Sequence, residues 1–244
     1  MPRKIIKDFQ VFGERRSGTN YVRALIAKNL KVKHVTHYGW KHGPPTMPAI
    51  SKHSLIVLVA RDPIDWIQSF YVTPHEAAEH LRVEQTFSEF IRAEWAGLAL
   101  PGMQGWEKWG HQQNMELRGE ELQWDRHPMT GARYKNVLEM RAVKYRAWLG
   151  LRERAAKFAL VRYEDARDAP ETVVEQLADE FLIDRKPDFD PIDQRMGNYS
   201  LFPDGFRERP KEISAKDRRY IADQLEPEIE EKLGYSQMLN AGAF

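Results

Sequence analysis

Apolar positions along this chain follow two rhythms that alternate at both ends. Residues 8–12, Asp-Phe-Gln-Val-Phe, read as a short strand ending at Gly13, and Tyr21, Val22, Leu25 and Ile26 then recur at helical spacing, predicting a helix over 19–29. Residues 32–37 alternate weakly and predict a second strand, which leads into a Gly/Pro-rich loop at 38–48. Residues 55–60, Leu-Ile-Val-Leu-Val-Ala, form an uninterrupted apolar run of the kind buried on both faces of a parallel sheet. Arg61-Asp62-Pro63 ends that run. Proline suits a first helical turn, so a helix is expected over 63–70 with Asp62 as its cap. Residues 158–163 read as another buried strand, and 170–182 as the amphipathic helix that follows it. This alternation predicts an α/β fold of three layers with a mainly parallel sheet, whose ligands bind at the carboxyl ends of the strands.

Residues 86–151 break the alternation. They are rich in aromatic residues, including Trp95, Trp106, Trp109, Trp124 and Trp148, and read as a helical insertion or lid whose tryptophans are mostly packing residues. Residues 214–233 predict a last helix interrupted near Pro227. No linker, internal repeat or low-complexity tract divides the 244 residues, so one domain is expected.

Composition narrows the class. An apolar share of 42% supports a core, and 30% charged residues support a solvated surface. No run reaches the ~18 to 20 apolar residues of a membrane helix, and the first residues lack the apolar stretch of a signal peptide, so a cytoplasmic protein without a membrane span is expected. The absence of cysteine excludes disulfides, a thiol nucleophile and thiolate-ligated metals. The net charge of +1 conceals an asymmetry: twelve Lys/Arg up to Arg61 stand against Asp8 and Glu14, whereas 164–193 holds eleven Asp/Glu against three basic residues. A basic N-terminal third suits an anionic ligand. With no groove-binding motif or basic tail, no nucleic-acid partner is expected.

The ligand has an obvious place to bind. Residues 13–20, Gly-Glu-Arg-Arg-Ser-Gly-Thr-Asn, join a strand to a helix, where free backbone N–H groups and the helix dipole attract anions. Gly13 and Gly18 permit the tight path, Ser17, Thr19 and Asn20 can donate hydrogen bonds, and Arg15 and Arg16 supply charge. The spacing of the two glycines equals that of a Walker A loop, yet Thr19 stands where that motif requires lysine. The Walker lysine reaches the β- and γ-phosphates, so its absence favours a shorter phosphate chain than that of ATP or GTP.

Two segments resemble the sulfotransferases that use 3′-phosphoadenosine 5′-phosphosulfate (PAPS). Arg16-Ser17-Gly18-Thr19-Asn20-Tyr21 is similar to their 5′-phosphosulfate loop, and Arg61-Asp62-Pro63 with Asp65, Ser69 and Tyr71 is similar to their second cofactor motif. The resemblance implies a P-loop-like sulfotransferase fold, with Arg61 and Ser69 on the 3′-phosphate. Lys41-His42, in the loop at 38–48, resembles the segment that carries the family's general base; this implies His42 as base and Lys41 as a charge-neutralising neighbour, with Arg16 also in the catalytic set. His34 and His37 are the alternative histidines. The family's late basic triplet, Arg-Lys-Gly, is absent; Arg207 and Arg209, following Phe206, lie in the corresponding region and are the candidate substitutes. The implied activity is sulfuryl transfer from PAPS to a hydroxyl or amine of a small molecule or glycan, with no metal.

Asn136, Arg141 and Lys144 are softer candidates, explained equally by a solvated helix face or by substrate binding. Residues 162–165 resemble a structural Tyr-Glu-Asp segment of the same family. His75, Glu76, Glu79 and His80 are the densest potential metal ligands, but they lack the His-Glu-x-x-His arrangement. Two other functions remain open: a P-loop kinase of a small molecule, and a catalytically silent nucleotide-binding or interaction protein. Neither the acceptor nor the oligomeric state is written in the sequence.

Overall fold

Among the described residues, four short strands, β1 (Asp8–Phe12), β2 (Lys33–His34), β3 (Ser54–Ala60) and β4 (Phe158–Arg162), pair in the order β2-β1-β3-β4. Every pairing is parallel. The helices, in chain order, are α1 (Thr19–Asn29), α2 (Pro63–Val72), α3 (Glu79–Arg82), α4 (Phe87–Phe90), α5 (Val137–Leu149), α6 (Tyr163–Asp168), α7 (Pro170–Phe181), α8 (Ala215–Gln224) and α9 (Pro227–Lys232). The computed structural model describes residues 6–82, 85–98, 121–194, 196 and 207–236. The chain divides into two compact units, one made of residues 1–62 and 147–198, the other of 63–146 and 199–244.

In the first unit the sheet is α/β and all parallel, as the alternation predicts. Phe9 and Val11 of β1, Leu55, Val57 and Val59 of β3, and Ala159 and Val161 of β4 alternate along their strands and therefore share one face. Val22, Leu25 and Ile26 of α1 and Val173, Val174 and Leu177 of α7 pack against that face. The opposite-facing Phe12, Ile56 and Leu58 are also fully buried, so β3 is covered on both sides. Each such side chain contributes about 1.5–3 kcal/mol of burial. β2 is shorter than the expected 32–37: only Lys33 and His34 pair with β1. Its weak alternation offers little apolar surface, and beyond Val35, whose N–H reaches Phe9 O, the chain leaves the sheet edge.

A buried polar network sets the start of the strands. Ser54 Oγ donates to Asp8 and lies 2.7 Å from Tyr38 Oη, which in turn accepts from Ser51 N at 3.1 Å. The hydroxyls thereby anchor the loop at 38–48 to both central strands. A lone polar residue inside β1 does the same from the middle of the sheet: Gln10 accepts from Tyr38 N and donates to Gly39 O, both at 2.8 Å.

The second unit is built around α2. Trp66, Ile67 and Phe70 pack with Phe90, Trp95, Tyr134 and Leu138 in one apolar cluster. Two ion pairs lie inside it. Arg141 forms a fork onto Glu230 at 2.7 and 2.8 Å, and Lys144 binds Asp125, which also accepts from Trp95 Nε1 at 2.7 Å. Arg141 and Lys144 are therefore neither a solvated face nor a substrate face; both are fully buried. Burial opposes the Arg141 charge, but Glu230 beside it outweighs that penalty and raises its pKa. Asn136 caps α5, accepting from Leu138 N and Glu139 N at 2.9 Å.

The expected helical insertion over 86–151 is helical only in part. Among its described residues, α4, α5 and two short 3-10 turns are helical, whereas Trp95 pairs with Tyr134 and Leu98 with Glu121 in isolated antiparallel bridges. Pro128 and Gly131 interrupt helical continuity before Asn136 restarts it. Trp95 and Trp148 are core residues as expected, while Trp106 and Trp109 lie outside the described residues. The helix expected over 63–70 runs on to Val72. The break near Pro227 is real: Ser214 caps α8, and Pro227 opens α9. Among the described residues no helix is long and apolar enough to cross a membrane.

Candidate anion-binding site

The loop at 13–20 folds as a cradle because its backbone enters the left-handed region repeatedly. Arg16 has φ 67° and Gly18 φ 90°. Left-handed and right-handed residues in succession turn consecutive N–H groups toward one point. Gly18 is also the N-cap of α1 and offers no side-chain cap, so the first-turn N–H groups of α1 keep their capacity for an external anion. Ser17 braces the loop from within, its hydroxyl donating to Glu14 O at 2.6 Å.

Only Gly fits at two points of this path. At Gly13 a Cβ would collide with the carbonyl of Val59 on β3, and at Gly18 it would collide with the ring of Tyr163. The loop is thus pressed against the ends of β3 and β4. Arg61, at the end of β3, donates to Arg16 O at 3.2 Å and stacks its guanidinium 5.0 Å above the Tyr163 ring. Glu164 completes the corner by accepting from Asp62 N at 3.0 Å.

The loop at 38–48 is laced to the cradle by three hydrogen bonds. Gly13 N donates to Lys41 O at 3.0 Å, Lys41 Nζ donates to Asn20 Oδ1 at 2.6 Å, and His42 Nδ1 lies 2.6 Å from Gly13 O. A carbonyl oxygen only accepts, so Nδ1 must carry the proton and Nε2 is the basic nitrogen of the neutral ring. Trp40 lies edge-on to His42 at 5.7 Å and holds the ring's orientation.

The expected site residues of the first unit therefore gather: Arg16, Ser17, Gly18, Thr19, Asn20, Lys41, His42 and Arg61 surround or line one loop. Arg15 points elsewhere. Its guanidinium is buried on Glu14 at 3.0 Å and above the Trp40 ring at 4.8 Å, so its charge is engaged inside the fold. His37 is exposed and its ring meets that of Tyr38 edge-on, with centroids 4.3 Å apart. His34 is partly buried against Phe9; burial, then the charges of Arg23 and Lys41, hold its pKa down at about 4.

In the second unit Ser69 lies on α2, and the segment at 207–211 packs on that helix. Arg209 binds Gln68 at 2.6 Å and also Asp65. Arg207 is held more deeply, reaching the carbonyls of Tyr71 and Leu81 and lying above the Tyr71 ring at 4.6 Å. Burial lowers its pKa. Phe206 lies outside the described residues. Of the potential metal ligands, Glu76 is buried and His80 bonds the Glu94 carbonyl at 3.1 Å.

Gln10 and Trp40 escape the sequence reading. Gln10 carried a usable signal, a single polar residue inside a buried strand, whereas Trp40 carried none, because an aromatic beside a glycine-rich loop looks the same as any core aromatic. Tyr163 belongs to the segment at 162–165 singled out above, which gave no sign that its ring reaches Gly18. Compared with known proteins, the chain matches no family model, and no curated protein matches it.

Proposed function

We propose that this protein transfers a sulfuryl group from PAPS to a hydroxyl or amine, on a P-loop-like sulfotransferase fold. The observation that carries the reading is the lacing of His42 and Lys41 onto the anion cradle, which puts a base and a cation beside a helix N-terminus that lacks the Walker lysine. The donor set suits a phosphosulfate: uncapped N–H groups at Gly18, the Thr19 and Asn20 side chains, and the Arg16 and Lys41 charges. PAPS supplies the sulfuryl group and departs as 3′,5′-bisphosphoadenosine (PAP).

The chain's own residues do the remainder. His42 Nε2 accepts the acceptor's proton, its tautomer fixed by the Gly13 carbonyl. Lys41, pinned on Asn20, neutralises negative charge building beside the cradle, and Arg16 does so from within the loop. Arg61, stacked on Tyr163, is aimed by that ring and offers its fork to the 3′-phosphate. Positioning and charge compensation of this kind provide most of the catalysis in the related phosphoryl transfers.

Calorimetry with PAP and, separately, ADP tests the reading. PAP should bind at least ~10-fold more tightly, a difference of about 1.4 kcal/mol, and Arg61→Ala should abolish that preference. A preference for ADP, or for ATP with magnesium, would return the kinase reading; PAP binding without sulfation of any acceptor in a broad panel would mark a silent binding protein.

A further inference from the structure

A buried glutamine is out of place in β1, where its companions Phe9, Val11 and Phe12 are apolar and equally buried. A β-branched residue would suit the strand better, and an amide taken out of water is costly unless its hydrogen bonds are made. Those of Gln10 are made to a loop outside the sheet. Past the bond from Val35 N to Phe9 O, the side-chain amide takes over the task of the backbone ladder, accepting from Tyr38 N and donating to Gly39 O, both at 2.8 Å. One side chain thereby grips two consecutive residues. It does so at a turn whose φ of 108° at Gly39 favours glycine.

Lys41 and His42 follow Gly39 by two and three residues. There the chain meets Gly13, just beyond β1, whose N–H donates to Lys41 O at 3.0 Å and whose carbonyl oxygen lies 2.6 Å from His42 Nδ1. Past His42, Trp148 Nε1 donates to Gly43 O at 2.9 Å, and Arg154 reaches Met47 O. The far half of the loop thus has anchors of its own, while the half that leads into His42 is gripped from β1. We infer that Gln10 is a positioning residue: it holds the turn that presents the His42 ring to Gly13, and so keeps the proton on Nδ1 and Nε2 basic. His42's use as a base rests on the sulfuryl-transfer reading, whereas the placement of its ring can be measured without it.

The full chain, carrying isotope-labelled histidine, is compared by NMR with Gln10→Met, which keeps the length of the side chain and makes neither hydrogen bond. Spectra are taken with and without PAP at mildly alkaline pH, where an ordinary imidazole is neutral. The ratio of Nδ1–H to Nε2–H tautomer at His42 should fall on the order of 10-fold, the weight of one hydrogen bond. That ratio belongs to the folded chain, so a loss of stability alone does not move it. PAP affinity should change less than ~3-fold. Gln10→Glu keeps an acceptor for Tyr38 N and should fall between wild type and Gln10→Met; it also decides the matter if Gln10→Met does not fold. A wild-type ring protonated on Nε2, or a ratio equal to that of wild type in every folded variant, overturns the role and leaves Gln10 an anchor of the fold alone. A loss of PAP affinity of ~10-fold or more assigns Gln10 to the donor loop and also overturns it. If PAP does not bind the wild-type chain, the transfer reading fails, and the tautomer ratio without PAP still decides what places His42.

Discussion

Nδ1 of His42 lies 2.6 Å from the carbonyl oxygen of Gly13, the residue that opens the anion loop. One hydrogen bond thereby joins the candidate base to the candidate donor site and fixes which ring nitrogen is basic. His42→Ala should lower kcat by ~10²-fold or more and leave PAP affinity little changed. The Gly13 carbonyl also loses its partner, so a stability loss of about 1–3 kcal/mol is expected alongside. Single-turnover sulfation measured well below the melting temperature separates the two effects; near-normal turnover would assign the proton to another group.

Gly18 and Tyr163 form a second testable pair. Gly18→Ala places a methyl in the ring and forces φ 90° on a residue with a Cβ, a backbone cost of about 1–3 kcal/mol. PAP binding should weaken at least ~10-fold as the cradle shifts, since 1.4 kcal/mol is tenfold in affinity. Combining it with Tyr163→Ala should relieve the collision but not the dihedral penalty. Chemical denaturation of the four proteins in the cycle reads this coupling, and strict additivity would refute the contact.

The Arg141–Glu230 fork is structural, and its removal should show that. Arg141→Met strands a buried carboxylate and should cost about 3–5 kcal/mol, while Arg141→Met with Glu230→Leu should regain most of the loss. Urea midpoints measure both variants. PAP affinity, measured where each is folded, should not change; a change would make this pair part of the binding machinery.

His34 gives a dependence on pH. Its folded pKa of about 4 lies below the ordinary 6.5, so the unfolded chain takes up the proton first as pH falls. The associated stability is complete above pH 6.5 and is lost between pH 6.5 and 4. Because the ring is partly solvent-exposed, screening reduces the full shift to an effect on the order of 1 kcal/mol. Denaturation of wild type and His34→Gln across this window should show a slope in the first that is shallower in the second.

The sheet was legible because its apolar runs are long for their class and its loops carry clear stop signals; Gly13, Asn29 and Pro63 mark element ends where the pattern says they should. The cradle was legible for the same reason, since glycine spacing reports backbone geometry directly. Arg141 and Lys144 misled because a charged residue advertises solvent, and their buried partners, Glu230 and Asp125, stand 89 and 19 residues away. Arg15 misled in the opposite manner. Its neighbour Glu14 neutralises it internally, and adjacency in sequence does not reveal which of Arg15 and Arg16 turns inward.

The ring that fills the space above Gly18 comes from the end of β4, about 145 residues later in the chain than the loop it shapes. Residues 6–82 contain every residue of the cradle and still lack the wall that sets its path. Anion affinity should therefore emerge late in folding, after the last parallel strand has docked, because such long-range pairings form slowly. Ligand capture would then report complete assembly of the sheet, and a chain truncated before β4 would have α1 without its binding site.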